Sequence, residues 1–512
     1  MAASMDLAGR RVAVVGLGKS GLAVARFCAA RGAHVTACDD RTEAALAKEL
    51  STLQSELSAG SVSLAVGGIS AESLLGADLI VLSPGVPPNR PAIANARAKG
   101  IAITGEIELA SRFISAPIVG ITGTNGKSTV TSLCGAIAEA TGRPSFCGGN
   151  LGTPLIEAVG TKATSEDGIV VVELSSYQLE TVDTLRCHAA TILNLTPDHL
   201  DRYDSLDAYG DAKARIFRHL PLLGTRVWNA DDPVALALCH RSQGPQQPAY
   251  LFSTRGPVPT QSLMERSLRL GGWLQGSDLV LSGVEGGLAG CVDSRGATLP
   301  TEHYPTSALQ LVGRHNLSNA LAAFLLMRAS GLATAAQVLQ AASQFHALPH
   351  RMQLVGEVGG ILFYDDSKGT NVDAVVAGLD GFPRPFVLIA GGRDKGGSYA
   401  PLRSVLEQAP TRGVITIGEA APLIGAAMTG TRFPVTPAVS LPEAVAQAVR
   451  LCQPGDAVVL SPACSSFDMF RDYAHRAQVF CEALAALPGA RLLAPAHSPE
   501  ATAAPALRSA QP

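Results

Sequence analysis

The stretch from Ile118 to Ala138, IVGITGTNGKSTVTSLCGAIA, restricts the fold more than any other part of the chain. A short apolar strand runs into a glycine-rich loop, and an amphipathic helix follows with Val130, Leu133, Cys134, Ile137 and Ala138 on the spacing of one buried face. Gly120, Gly123 and Gly126 permit a tight turn whose main-chain N–H groups aim inward at a helix N-terminus, where the dipole favours anions. Lys127 adds a point charge, and Ser128 or Thr129 can offer a hydroxyl to magnesium. The strict G-x-x-x-x-G-K-S/T form is not met, since Ile121 stands six before Lys127 and the nearest glycine is one residue further back. Such a turn can also be mere punctuation. Strand, loop and GKST together favour a nucleotide, with ATP the expected one, cradled by Gly123, Thr124, Asn125, Gly126, Lys127, Ser128 and Thr129.

At 512 residues the chain is too long for one ordinary core, and about 150 residues per domain suggests roughly three. Lys and Arg total 40 against 43 Asp and Glu, a net charge of -3, which lacks the basic footprint of a nucleic-acid binder. Small molecules are the expected partners. Ten cysteines are scattered without a C-x-x-C pair, several in apolar runs, as reduced core thiols would be. No stretch of about 18 uninterrupted apolar residues and no leader-like segment is present, so a soluble, cytoplasmic protein without disulfides is expected.

Before the phosphate loop, a strand at Arg11 to Val15 leads into GLGKSGL, so Gly16, Gly18 and Gly21 form a G-x-G-x-x-G turn opening a helix through Ala30. Asp39 and Asp40 follow a second strand, His34 to Cys38, the dinucleotide-fold pattern in which an acidic residue can hold a ribose. The later ATP loop favours a nucleotide-like ligand other than NAD here. Leu79 to Leu82 ends in Ser83-Pro84-Gly85, a turn at the ligand-binding edge of such sheets. This first domain ends near Phe113.

Beyond the loop, Ile169 to Val172 delivers Glu173 to a strand end, and Thr191 to Leu195 runs into TPDHLDRY, which gathers Asp198, His199 and Asp201. Asp198 as a helix N-cap is the bland alternative; a magnesium or substrate role for Glu173 and His199 is preferred, because open α/β sheets bind ligands at strand carboxyl ends. Lys213, in YGDAKARIF, reads from pattern alone as an exposed helix lysine. Residues 241 to 305 are rich in Gly, Pro, Ser and Gln and read as β-hairpins inserted at a surface. In GRHNLSNALAAFLLMRAS, Asn316 and Asn319 share a helix face, and either reads a base edge or caps the helix.

After LPHR, three strands end in unusually polar loops: DDSKGTN after Ile361 to Tyr364, GGRDKGG after Val387 to Ala390, and PACSSFDMF after Val458 to Ser461. In one α/β domain these ends converge, and Lys368 and Lys395 would make a cationic pocket for a small dianion. From about Pro488 the chain is Ala-, Pro- and Ser-rich and reads as a disordered tail.

GITGTNGKSTVT, VVELSSYQLE, ILNLTPDHLDRY, GRHNLSNALAA, LPHR, DDSKGTNVDA and SPACSSFDMF occur in the order found in the Mur ligases of bacterial peptidoglycan synthesis, which the chain resembles from about Leu7 to about Leu487. The resemblance implies an α/β chain of three domains. They are a Rossmann-like N-terminal domain over 1–112 that binds the UDP part of the acceptor, a central P-loop ATPase-like mononucleotide-binding domain over 113–348, and a C-terminal Rossmann-like domain over 349–488 that brings the amino acid, with 489–512 as the tail. Its third-domain loops look most like those of family members that add D-glutamate. The implied reaction uses ATP and Mg2+ to convert the alanyl carboxylate of UDP-N-acetylmuramoyl-L-alanine to an acyl phosphate, which the amine of D-glutamate attacks. A monomer without nucleic-acid or membrane partners is implied.

Carried onto this chain, Lys127 would steady the β- and γ-phosphates, and Ser128, Glu173 and His199 would hold magnesium. Lys213 matches a lysine that takes up carbon dioxide, and its carbamate would be an anionic metal ligand. Asn319 matches the adenine contact, Asp366 the ribose contact and Arg351 a guanidinium that reaches phosphate. Lys19, Ser20, Asp39, Arg41 and Gly85 fall where the family holds uridine diphosphate, with Asn150 on the sugar side. Thr370, Lys395, Lys368, Ser466, Phe467 and Tyr473 would surround D-glutamate. Lys19 and Tyr473 depart from the residues usual there. Sibling ligases for L-alanine, a diamino acid or a dipeptide are the nearest alternatives, and a folate polyglutamate ligase would not need the GLGKSG turn. An NAD-dependent oxidoreductase would leave Lys127 idle, and a non-catalytic nucleotide-binding module would leave Glu173 and His199 unexplained.

Overall fold

The computed structural model describes residues 5–56, 62–198, 202–222, 224–242, 249–257, 268–284, 301–311, 313–346 and 348–493. Among these, the strands gather into three sheets. In the first, five parallel strands run in the order Val62–Val66, His34–Asp39, Arg11–Val15, Leu79–Leu82, Ala102–Gly105. The chain enters at the middle strand and winds outward both ways, which leaves a switch point between the carboxyl ends of Arg11–Val15 and Leu79–Leu82. The glycines of the turn there are dictated by space. Gly16 has φ +89°, and a Cβ on Gly21 would stand 1.8 Å from the Gly16 carbonyl oxygen.

The central sheet holds, among the described residues, nine strands in the order Thr301–Pro305, Asp278–Ser282, Leu268–Gln275, Ala249–Ser253, Thr225–Asn229, Ala189–Ile192, Ile118–Thr122, Ile169–Glu173, Ser145–Gly149. Seven are parallel, and the pair Asp278–Ser282 and Thr301–Pro305 closes one edge antiparallel. Val170 and Val172 pack into the core on one face and Ile169 and Val171 into that on the other, so the unbroken apolar run is a strand covered on both sides. The hairpin pairing expected over 241–305 is present, Leu268–Gln275 lying antiparallel to Asp278–Ser282 and that strand antiparallel to Thr301–Pro305, but its expected place as a surface insertion is corrected. Ala249–Ser253 is a fully buried parallel strand, and Leu279, Val280 and Leu281 are buried, so this segment widens the sheet. Its apolar residues were masked in composition by the Gly-rich stretches around them; 258–267 and 285–300 lie outside the described residues.

A third sheet has, among the described residues, seven strands in the order Val435–Pro437, Thr411–Ile417, Phe386–Gly391, Ala457–Leu460, Ile361–Asp365, Gln353–Val358, Arg491–Leu492, all running one way except Gln353–Val358, which is antiparallel to both its neighbours. The chain divides into two compact units, Met1–Leu309 with Leu317–Phe345, which carries the first two sheets, and Gln310–Asn316 with His346–Pro512, which carries the third. Gln310 forms a β-bridge with His346, which ties 310–316 to the later unit. No helix of the described residues is long and apolar enough to cross a membrane. Nine cysteines among them are free.

Glu108 fastens the first sheet's last helix to the central domain. It is 1% exposed, and its carboxylate accepts from the N–H groups of Asp183, Thr184 and Leu185, from the Thr184 hydroxyl and from Arg112 Nε. Burial opposes its ionisation, yet these donors outweigh burial and hold the carboxyl below the usual glutamate range. Removing it in Glu108→Ala leaves three N–H groups unpaired and is expected to cost about 3 kcal/mol or more. Because the folded-state value is depressed, that stabilisation is present above about pH 4.3 and is lost as pH falls through the folded value. Thermal midpoints of wild type and variant are therefore expected to converge in acid and to separate at neutral pH; a gap that does not change with pH would contradict the assignment.

Candidate functional site

The strand Ile118–Thr122 enters the loop and the helix Lys127–Ala140 leaves it, with Gly126 as N-cap at φ +83°. A Cβ on Gly126 would meet Asn319 Oδ1 at 2.4 Å, so the loop lies directly against Asn319, which is buried on the helix Arg314–Ala329. Asn194 sews the loop down: its backbone oxygen accepts from Thr124 N at 3.0 Å, its Oδ1 from Asn125 N at 2.8 Å, and its Nδ2 donates to Asn125 O at 3.0 Å. The sequence reading passed over Asn194, whose one signal is a polar residue between apolar ones in ILNLT.

Lys127 curls over the loop and donates from Nζ to Gly123 O at 3.0 Å and Thr124 O at 2.8 Å. Lys213 reaches the same Gly123 oxygen at 2.9 Å and Thr122 Oγ1 at 3.4 Å, with its Nζ 4.5 Å from the centre of the Tyr209 ring. The pattern reading of Lys213 as an exposed helix lysine is corrected, since it is 1% exposed and shares the buried face of Leu206–Ala214 with Tyr209 and Gly210. A helix whose buried face is built from a lysine, a tyrosine and a glycine has no apolar period to read. Burial, and then the neighbouring Lys127 charge, push the Lys213 amine well below the usual lysine range.

Glu173 closes the strand Ile169–Glu173 and is 3% exposed. Its Oε1 accepts from Asn150 Nδ2 at 2.7 Å, while its Oε2 is buried without a hydrogen-bond partner. A buried carboxylate oxygen without a donor is costly and suits a cation. Among the described residues, no group of three or more His, Cys, Asp and Glu is placed to hold a metal ion. Magnesium is commonly held by one or two carboxylates, with phosphate oxygens and water completing the shell, so the Glu173 oxygen and the Ser128 hydroxyl are a chemically sufficient start. His199 and Asp201 lie outside the described residues. Asp198 is not the N-cap of the next helix; Ser205 is, accepting from Ala208 N.

Around the first glycine turn the structure brings together Lys19, Ser20, Asp39 and Arg41. Asp39 accepts from Leu17 N at 2.7 Å, from Arg41 N at 2.9 Å and from the Arg41 guanidinium. Burial works against its charge, but Arg41 and the two N–H groups bring the carboxyl down to about 2. Gly85 sits in the turn after Leu79–Leu82, which Ser83 ties to the glycine turn by donating to Gly16 O at 2.6 Å. Asn150 bonds Glu173, and its loop is joined to this turn by Lys19 Nζ, which donates to Gly152 O at 2.6 Å.

In the second unit, three polar loops meet at one sheet edge. Arg393 and Ser465 exchange backbone hydrogen bonds at 2.9 and 3.2 Å, joining the Lys395 loop to the Ser466 loop, and Ala463 N donates to Gly369 O at 2.9 Å, joining the latter to the Lys368 and Thr370 loop. Ser466 is buried, Phe467 is exposed, and Lys368 Nζ lies 5.4 Å from the centre of the Tyr473 ring. Beneath them Arg476, fully buried, donates to Cys464 O at 3.2 Å and Ser367 O at 2.8 Å. It is the residue here that sequence reasoning missed, because a helix arginine normally reads as solvated. Asp366 accepts from Ser461 Oγ at 2.5 Å and Met352 N at 3.3 Å, and burial pushes its carboxyl up to about 7. Arg351 lies between His350 and Met352, both in the left-handed region at φ +64° and +45°.

A helix-capping phosphate loop with two lysines and a buried acidic strand end, on a parallel sheet, defines a nucleotide-binding α/β protein of the phosphoryl-transfer kind. Residues 10–105 match the Mur ligase MurD-like N-terminal domain, 121–327 the Mur ligase middle domain and 350–464 the Mur ligase glutamate ligase domain. UDP-N-acetylmuramoylalanine–D-glutamate ligase of Geotalea daltonii is 42% identical over 487 residues, covering 95% of this chain and 99% of its own. The enzyme of that name from Anaeromyxobacter dehalogenans is 45% identical over 484 residues, covering 93% and 98%. The chain belongs to the Mur ligase family. Solved structures share the fold at low identity: Thermotoga maritima UDP-N-acetylmuramate-alanine ligase (TM-score 0.54, 18% identity, 92% and 98% covered) and MurF ligase from the same organism in complex with ADP (0.54, 16%, 93% and 95%).

The depressed Lys213 makes a further expectation. Between its folded value and the usual lysine value of about 10.4 the unfolded chain binds a proton that the native chain does not, so this group's contribution to stability rises with pH across that window. Lys213→Met is expected to flatten that part of the dependence of thermal midpoint on pH, whereas an unchanged slope would mean that Lys213 is charged in the folded chain.

Proposed function

We propose that the chain is a ligase that uses ATP to join D-glutamate to UDP-N-acetylmuramoyl-L-alanine, forming an amide with release of ADP and phosphate. The observation that carries this is the meeting of Lys127 and Lys213 on Gly123 O beside the partnerless oxygen of Glu173, in a chain whose curated D-glutamate ligase relatives match it almost end to end. Charge neutralisation and positioning are what phosphoryl transfer demands. In this reading the loop amides and Lys127 take the β- and γ-phosphates, and Asn319 contacts adenine.

Glu173, Ser128 and His199 would hold Mg2+, which when bound neutralises phosphate charge. Lys213, held as the neutral amine, would attack carbon dioxide through its nitrogen lone pair, lose a proton to solvent and become an anionic carbamate that contributes to the same site. Lys19, Ser20, Asp39, Arg41 and Gly85 would hold the uridine diphosphate, and Asn150 would lie on the sugar side. The γ-phosphoryl group passes to the alanyl carboxylate, giving an acyl phosphate. The D-glutamate amine then adds to its carbonyl carbon, and phosphate leaves from the tetrahedral intermediate as the amine proton is lost.

Lys395 and Thr370 would bind one carboxylate of D-glutamate, and Ser466, with the chain at Phe467 and Tyr473, the other, with Lys368 in the same pocket. Two cations facing a dianion favour an amino acid with a second carboxylate. Arg351 would meet ATP phosphate and Asp366 the ribose.

Phosphate release with ATP, Mg2+ and UDP-N-acetylmuramoyl-L-alanine, with D-glutamate, L-glutamate, L-alanine and meso-diaminopimelate offered separately, tests the proposal. Turnover is expected with D-glutamate alone, and Lys395→Ala is expected to raise its KM by about a hundredfold, as loss of a charge-assisted contact would. Turnover with another amino acid would move the assignment to a sibling ligase, and none with any would overturn it.

A further inference from the structure

Glu106 is the first residue of the helix Glu106–Ser111 in the first domain, is 2% exposed and has no place in the reaction described above. Its Oε1 accepts from Ile156 N at 2.8 Å, at the start of the short helical turn Leu155–Ala158 in the central domain. Its Oε2 is buried without a hydrogen-bond partner, and burial pushes the carboxyl up to about 7. A buried carboxylate kept at this cost is used for something beyond apolar packing.

The segment it anchors leads back to Glu173. Loop 149–154 immediately precedes the turn and closes on itself through Gly149 N to Thr153 O at 2.7 Å. The first domain grips it a second time, because Lys19 Nζ donates to Gly152 O at 2.6 Å. Two residues before the Gly152 grip, Asn150 N donates to Glu173 O at 2.9 Å and Asn150 Nδ2 to Glu173 Oε1 at 2.7 Å. The contact is close-fitting, since a Cβ on Gly149 would fall 2.5 Å from Glu173 O.

We propose that Glu106 is a positioning residue: by holding Ile156 N it fixes loop 149–154 so that Asn150 occupies Glu173 Oε1 and leaves Oε2 turned to the metal, linking the acceptor-binding domain to the catalytic carboxylate. The proposal rests on Glu173 as a metal-facing group. Glu106→Leu keeps the volume and removes the acceptor, whereas Glu106→Gln keeps a carbonyl for Ile156 N.

The test measures kcat, the KM for ATP, and Mn2+ affinity in the presence of ADP by electron paramagnetic resonance. Glu106→Leu is expected to lower kcat about tenfold and weaken Mn2+ about tenfold with the KM for ATP unchanged, Glu106→Gln to restore both to within about threefold, and Glu106→Leu to cost nothing further in an Asn150→Ala background. Wild-type kcat and Mn2+ affinity in Glu106→Leu, or losses that add to those of Asn150→Ala, would overturn it. So would failure of both Glu106→Leu and Glu106→Ala to fold, which would make Glu106 a residue of the fold alone. Glu173→Gln separates the two levels. If it leaves Mn2+ binding intact, the reading of Glu173 fails; if it abolishes binding while Glu106→Leu is silent, only the positioning role fails.

Discussion

The Gly123 carbonyl oxygen accepts from two lysines, and the first unit's chemistry depends on that shared acceptor. Burial first, and then the neighbouring Lys127 charge, loosens the proton on Lys213. The arrangement has Gly123 at φ +147°, a conformation that side chains rarely adopt, and a Cβ there would press on Leu193 and Asn194 at 3.1 to 3.3 Å. Asn194 then holds Thr124 and Asn125, and the helix Lys127–Ala140 presents its N-terminus to the same space. The oxygen therefore brings two lysines that are distant in sequence to one point of the loop.

All three domains use one device, a mostly parallel sheet whose strand ends carry polar loops. They differ in what steadies the loops. Arg41 and Asp39 do so in the first, Asn194 and the lysines in the second, and the buried Arg476 in the third, where it reaches main-chain oxygens of two loops at once. A buried ionisable group takes part in each, Asp39, Lys213 and Arg476, and its partners are supplied largely by backbone. That is the cheaper way to keep a loop rigid at a site that must remain open to charged ligands.

The phosphate loop, the first glycine turn and the convergence of the three third-domain loops were legible in the chain, because glycine spacing and apolar runs are local signals. Lys213 was not, since its burial comes from packing against Tyr209 and the strand Ile118–Thr122, far away in sequence. The strand Ala249–Ser253 was missed for a related reason: five residues inside a Gly- and Gln-rich stretch carry too little pattern to outweigh their surroundings. Nothing local in GEIELAS singles out Glu106 and Glu108, and only the fold reveals that both face backbone N–H groups of the neighbouring domain. Positions fixed by local geometry can be read from sequence; those fixed by a distant partner cannot.

Central to this account is transfer of the γ-phosphoryl group of ATP to the acceptor's carboxylate before the amide forms. The most direct measurement uses UDP-N-acetylmuramoyl-L-alanine labelled with 18O in the alanyl carboxylate and follows the label by mass spectrometry after turnover with D-glutamate. An acyl phosphate requires one 18O to appear in the released phosphate. Phosphate free of label, with amide formed, would contradict the account.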